Sequence, residues 1–70
     1  MSSRRLRQLV AEKVRKARLR AELTQEQAAE ITGFHYKYYQ RVESGVVNLT
    51  LDSLERISRA FKVDLKFLIG

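Results

Sequence analysis

Apolar residues recur along this chain at three- and four-residue intervals, the spacing that lines one face of an α-helix. Leu6, Val10, Val14, Ala17 and Ala21 make one such stripe and predict a first helix over residues 5–21, with charged residues on most of its remaining circumference. Thr24 with Gln27 three positions on forms a capping box, and Glu26, Gln27, Ala28, Ala29 and Glu30 are good helix formers, so a second helix starts at Thr24. Gly33 ends it, because glycine takes the positive φ that turns the chain at little steric cost. A third helix follows over residues 35–44, then a connection at 46–49. Thr50 caps a fourth helix whose Leu51, Leu54, Ile57 and Phe61 form a buried face, and Asp64 caps a short fifth. In that last helix Leu65 and Leu68 are a core-facing pair, which leaves Phe67 pointing elsewhere.

Residues 24–45 therefore read as two short helices joined by one tight glycine turn, the layout of a helix-turn-helix. Helices this short do not stand alone in water and must pack on the rest of the chain. The methyl side chain of Ala29 allows a close crossing. With no Pro, no low-complexity linker and no repeat, the expectation is one all-α domain of five helices over residues 1–70.

Length and composition narrow the function. A 70-residue chain buries only roughly 60% of its unfolded surface, which leaves little room for a deep catalytic cavity and argues against an enzyme. The absence of Cys and the single His exclude thiol chemistry, disulfides and a multi-His metal site. No apolar run reaches signal-peptide or membrane-helix character, so a soluble cytoplasmic protein without cofactor or small-molecule ligand is expected. The net charge of +6 is placed unevenly: residues 1–22 hold eight Lys/Arg against two Glu, whereas 23–45 hold two against three Glu. Such a run can be a solvated face; beside a helix-turn-helix it points to phosphate binding. Arg4, Arg5 and Arg7 in residues 1–7, read as a basic arm or helix extension, are expected to contact DNA phosphates.

Arg18, LTQEQAAE at 23–30, Gly33, RVESG at 41–45, NLTLDSLERI at 48–57 and VDLKFLI at 63–69 fall in one register. In these features the chain resembles the phage repressor and Cro-type (XRE-like) helix-turn-helix domains of transcription regulators, over residues 14–69. NLTLDSL is similar to the small controller proteins of restriction-modification systems. The resemblance implies a repressor-like fold and a regulator that binds double-stranded operator DNA. Gln25 corresponds to a glutamine that grips a DNA phosphate, which suits the free N–H groups and partial positive charge of a helix N-terminus.

By the same resemblance the third helix lies in the major groove, where its N-terminal, outward-facing residues reach base edges. By register these are His35, Tyr36, Lys37, Gln40 and Arg41. Lys37 and Arg41 can donate to guanine, Gln40 can pair with adenine, and Tyr36 offers a hydroxyl or a ring for the thymine methyl. His35 stands where the family has a capping Ser or Thr, and reads equally as a poor cap or as a DNA contact. Tyr38 points to the side of the groove and fits a phosphate. The resemblance pairs Arg18 and Glu43 as a structural salt bridge between the first and third helices. Ala28 and Thr32 stand where Leu is usual and Tyr39 where Ile or Val is usual, so the Tyr39 ring is expected to fill the space that its smaller neighbours leave. Its hydroxyl then needs a partner.

One such domain covers one half-site, so operator binding implies a homodimer. Phe67, with Ile69 beside it, is the expected interface. Two other classes stay open: an antitoxin-like module that uses the same fold to hold a protein partner, and a basic helix for RNA or a membrane surface. The first helix lacks the broad apolar face that membrane docking wants.

Overall fold

Four of the five helices begin at a side chain that accepts a hydrogen bond from an otherwise unsatisfied N–H of the first turn. In the computed structural model, which describes residues 3–70, the helices are α1 (Ser3–Arg20), α2 (Gln25–Thr32), α3 (Tyr36–Ser44), α4 (Leu51–Phe61) and α5 (Leu65–Ile69). No strand occurs among the described residues, and the fold is all-α. The Thr24 hydroxyl accepts from the Gln27 N–H at 3.1 Å while Gln27 Oε1 accepts from the Thr24 N–H at 2.9 Å, a closed capping box. Thr50 and Asp64 cap α4 and α5 through the N–H groups of Ser53 and Lys66. At the other ends, Gly33 (φ 77°) stops α2 and Gly45 (φ 79°) stops α3. Lys62 does the same for α4 at φ 55°, without glycine's freedom.

Helix α1 begins at Ser3, so Arg4, Arg5 and Arg7 lie on its first turns rather than on a free arm. Residues 1 and 2 of the expected arm lie outside the described residues. The helix packs against α3 and α5, α2 packs against α3 and α4, and α4 packs against α5. The core that results holds Val14, Ala17, Ala28, Ala29, Tyr39, Val42, Leu54, Ile57, Phe61 and Leu68.

Tyr39 is the largest fully buried side chain. Its ring meets Phe61 edge-on at 6.5 Å between centroids, in a core where α2 contributes only the small Ala28 and Ala29 and the buried Thr32. The Thr32 hydroxyl is satisfied within its own helix by the Ala28 carbonyl at 2.8 Å. Phe67 departs from expectation. It is half-buried, with Lys13 Nζ 5.4 Å and the Arg20 guanidinium 5.1 Å from its ring centre, so two cations of α1 cover the face that was read as an interface. The exposed apolar side chain of α5 is instead Ile69, 53% accessible. No helix among the described residues is long and apolar enough to cross a membrane.

Candidate nucleic-acid interface

The sequence of α3 divides its surface cleanly. Tyr39 and Val42 are buried, and Lys37, Gln40, Arg41 and Ser44 are exposed on the opposite side, with Tyr36 exposed beside them. With its side chains an α-helix is about 10–12 Å across, which suits the B-DNA major groove of about 12 Å width. Four of the five expected base-reading residues thus lie on the outer side of a helix whose inner face is fixed by the core.

The fifth, His35, has a structural task. It is the N-cap of α3, and its Nδ1 accepts from the Lys37 N–H at 3.2 Å. The imidazole therefore does the work of the usual Ser or Thr. Tyr38 is also engaged: half-buried, it meets Phe34 edge-on at 5.1 Å, and the Arg56 guanidinium lies 5.3 Å over the same Phe34 ring. The aromatic residues consequently form no single sticky surface, since Tyr39 faces the core, Phe34 and Tyr38 pair, and Tyr36 stands out.

Behind α3 a single carboxylate joins three helices. Glu43 Oε2 accepts from Arg18 Nε at 2.6 Å and from the Tyr39 hydroxyl, while Oε1 accepts from Arg18 Nη2 at 3.1 Å and from Gln25 Nε2 at 3.1 Å. Arg18 Nη1 also donates to the Leu23 carbonyl at 2.9 Å. Burial pushes the Glu43 carboxyl upward, but the bonds from Arg18, Tyr39 and Gln25 outweigh it and hold the group below the ordinary carboxylate range. The same pairing raises Arg18 against the opposing effect of its burial. Burial first, and then the Glu43 charge, push the Tyr39 phenol far above its ordinary value, so it stays a neutral donor.

Gln25, at the first position of α2, is thus tied to Glu43 while its own N-terminal turn faces outward. Arg4 and Arg5 are exposed on α1. Arg7 is half-buried, and its Nη1 donates to Asn48 Oδ1 at 2.8 Å, which ties α1 to the segment after α3 and turns the side chain away from the role of a free phosphate contact. Three features were not foreseen: the Gln25–Glu43 bond, the Arg7–Asn48 bond and the place of Arg56 over Phe34. Each joins residues far apart in sequence whose spacing carries no signal. Only the buried hydroxyl of Tyr39 announced that it needed a partner. Among the described residues no group of three or more potential metal ligands occurs.

Residues 14–68 match a protein-family model described as helix-turn-helix, a span that includes α2, α3 and α4 whole and α5 up to Leu68. The chain is similar to control protein C.BamHI of Bacillus amyloliquefaciens, 37% identical over 65 residues that cover 91% of this chain and 80% of that one. It is also similar to control protein C.SmaI of Serratia marcescens, 36% identical over 64 residues, covering 91% and 76%.

Proposed function

As the chain belongs to the helix-turn-helix family of sequence-specific, DNA-binding transcription regulators, we propose that it binds a two-fold symmetric operator as a homodimer. The family is one of regulators rather than of enzymes. In this reading α3 enters the major groove with Tyr36, Lys37, Gln40 and Arg41 toward base edges, while Gln25, Arg4 and Arg5 contact phosphates. The observation that carries it is the division of α3. A helix whose inner face is fixed by Tyr39 and Val42 presents Lys37, Gln40 and Arg41 outward together, at low cost in ordering on binding. His35 contributes by starting that helix, and Tyr38 by bracing it. The names of the two relatives extend the proposal to a control protein, acting in the cytoplasm beside the DNA it regulates.

Selection of bound duplexes from a random DNA pool, with wild type and with Arg41→Ala, tests this. A two-fold symmetric consensus that loses definition at one position per half-site in the variant is the expected result, at about 1–3 kcal/mol of lost discrimination for one base contact. Binding without consensus, fading with salt in both proteins, would reduce the interaction to charge alone.

A further inference from the structure

Glu43 accepts four hydrogen bonds, two on each oxygen, and this fills the lone-pair sites that a carboxylate offers. The donors come from three helices: Arg18 of α1, Gln25 of α2 and Tyr39 of α3. Two of them share the ion pair itself. The other two divide the oxygens, Tyr39 on Oε2 and Gln25 on Oε1, so the orientation of the carboxylate plane depends on both.

We infer that Tyr39 is a positioning residue for DNA binding, in that its hydroxyl fixes the Glu43 carboxylate in the orientation that holds the Gln25 amide at the start of α2. The inference rests on the reading of Gln25 as a phosphate contact. Tyr39 has no accessible surface and touches no DNA; it acts through Glu43. Without its hydroxyl, Oε2 loses a donor in a place closed to solvent, and the carboxylate turns to share Arg18 or the amide differently. The Gln25 Nε2 bond to Oε1, at 3.1 Å, is among the longer of the four and gives way first. A Gln25 side chain freed in this way must be ordered again when it meets a phosphate, which weakens binding without any change at the DNA surface. A Phe at this position would keep the ring in the core and leave the amide unguided. The tyrosine therefore has a use beyond volume.

A double-mutant cycle on the duplex selected by wild type tests the coupling, with Tyr39→Phe, Gln25→Ala and both together. If the bond chain operates, Gln25→Ala weakens binding about tenfold, Tyr39→Phe about threefold, and the pair still about tenfold, because the hydroxyl acts only through the amide. In parallel, 15N relaxation of Gln25 Nε2 in the free protein shows an ordered amide in wild type and a mobile one in Tyr39→Phe, a change that a purely structural tyrosine does not produce. A double variant near thirtyfold, the product of the singles, overturns the coupling and leaves the phosphate reading intact. No effect of Gln25→Ala overturns both. Should Tyr39→Phe fail to fold, the same cycle is read with 4-aminophenylalanine at position 39, whose ring fits and whose poorer donor weakens the bond; an unchanged Gln25 amide there also overturns the inference.

Discussion

Glu43 is a charge taken almost out of water, and only its donors make that tolerable. Its side chain is 4% accessible and that of Arg18 10%, so removing either partner strands the other, at about 3–5 kcal/mol. For a domain of this size that is a large share of total stability, about 0.05–0.15 kcal/mol per residue. The expected outcome for Glu43→Ala is therefore lost DNA binding through a lost fold, read as a collapsed thermal transition. Acid reaches the same charge without mutation. Because the folded state holds the Glu43 carboxyl below its ordinary value of 4.5, the native state favours the ionised form more than the unfolded chain does. That stability is fully present above about pH 4.5 and is lost as pH falls toward the folded-state value. Thermal melts from neutral pH downward should show a steep acid limb in wild type and a shallower one in Glu43→Gln, which has already lost most of this contribution. Parallel limbs would assign acid sensitivity to other carboxylates.

Two glycines end two helices with the same left-handed backbone, yet their surroundings separate them. A Cβ on Gly33 would meet nothing nearer than the Arg56 guanidinium at 3.9 Å, whereas on Gly45 it would lie 3.1 Å from Gln8 Cγ and 3.2 Å from Gln8 Cα. Gly33→Ala should cost only the left-handed strain, about 1–2 kcal/mol. Gly45→Ala should add a further 1–3 kcal/mol or so, because α1 must move off the end of α3. Urea denaturation decides this, and equal losses would mean that α1 yields freely at Gln8. The contrast also marks what the sequence could convey. The Thr24 capping box, the Gly33 stop and most of the inner faces of α1 and α4 were legible because each is local, set within a turn or by helical period. Leu6 and Leu51, counted in those faces, are however 49% and 72% accessible: each stands at an end of the apolar stripe, where no neighbouring helix covers it. Among the described residues α1 already runs from Ser3, two residues ahead of the expected start at Arg5, within the margin usual for helix ends. The contacts of Phe67 and Arg7 were missed for a different reason. Periodicity gives the angle at which a side chain leaves its helix but not which neighbour waits there. Phe67 was placed off the apolar stripe, and the cationic heads of Lys13 and Arg20 that lie over it could not be picked out in a run of charges. The Arg18–Glu43 pair was readable only through family resemblance.

At the scale of the whole molecule, the same charge that draws the chain to DNA opposes its pairing in solution. With the Phe67 ring covered by two cations of α1, one apolar surface that the proposed homodimer could use is a shallow groove lined by Leu6, Leu9, Val10 and Lys13 of α1 and by Leu68, Ile69 and Gly70. Leu6, Leu9 and Ile69, at 49%, 42% and 53% accessible, stand together along this groove. Two chains of net charge +6 that meet there repel one another across a distance comparable with the Debye length, about 10 Å at 0.1 M salt. Added salt should therefore tighten the proposed dimer while it loosens the complex with DNA, where counterions are released on binding. Sedimentation equilibrium at low and high salt reads the first effect and a DNA titration at the same ionic strengths the second. Ile69→Glu, which puts a charge into the groove, should stay monomeric at both salts and keep its helical circular dichroism. A wild-type dimer that weakens with salt would mean that ion pairs rather than apolar contact hold it. A variant that still pairs would move the interface away from α5.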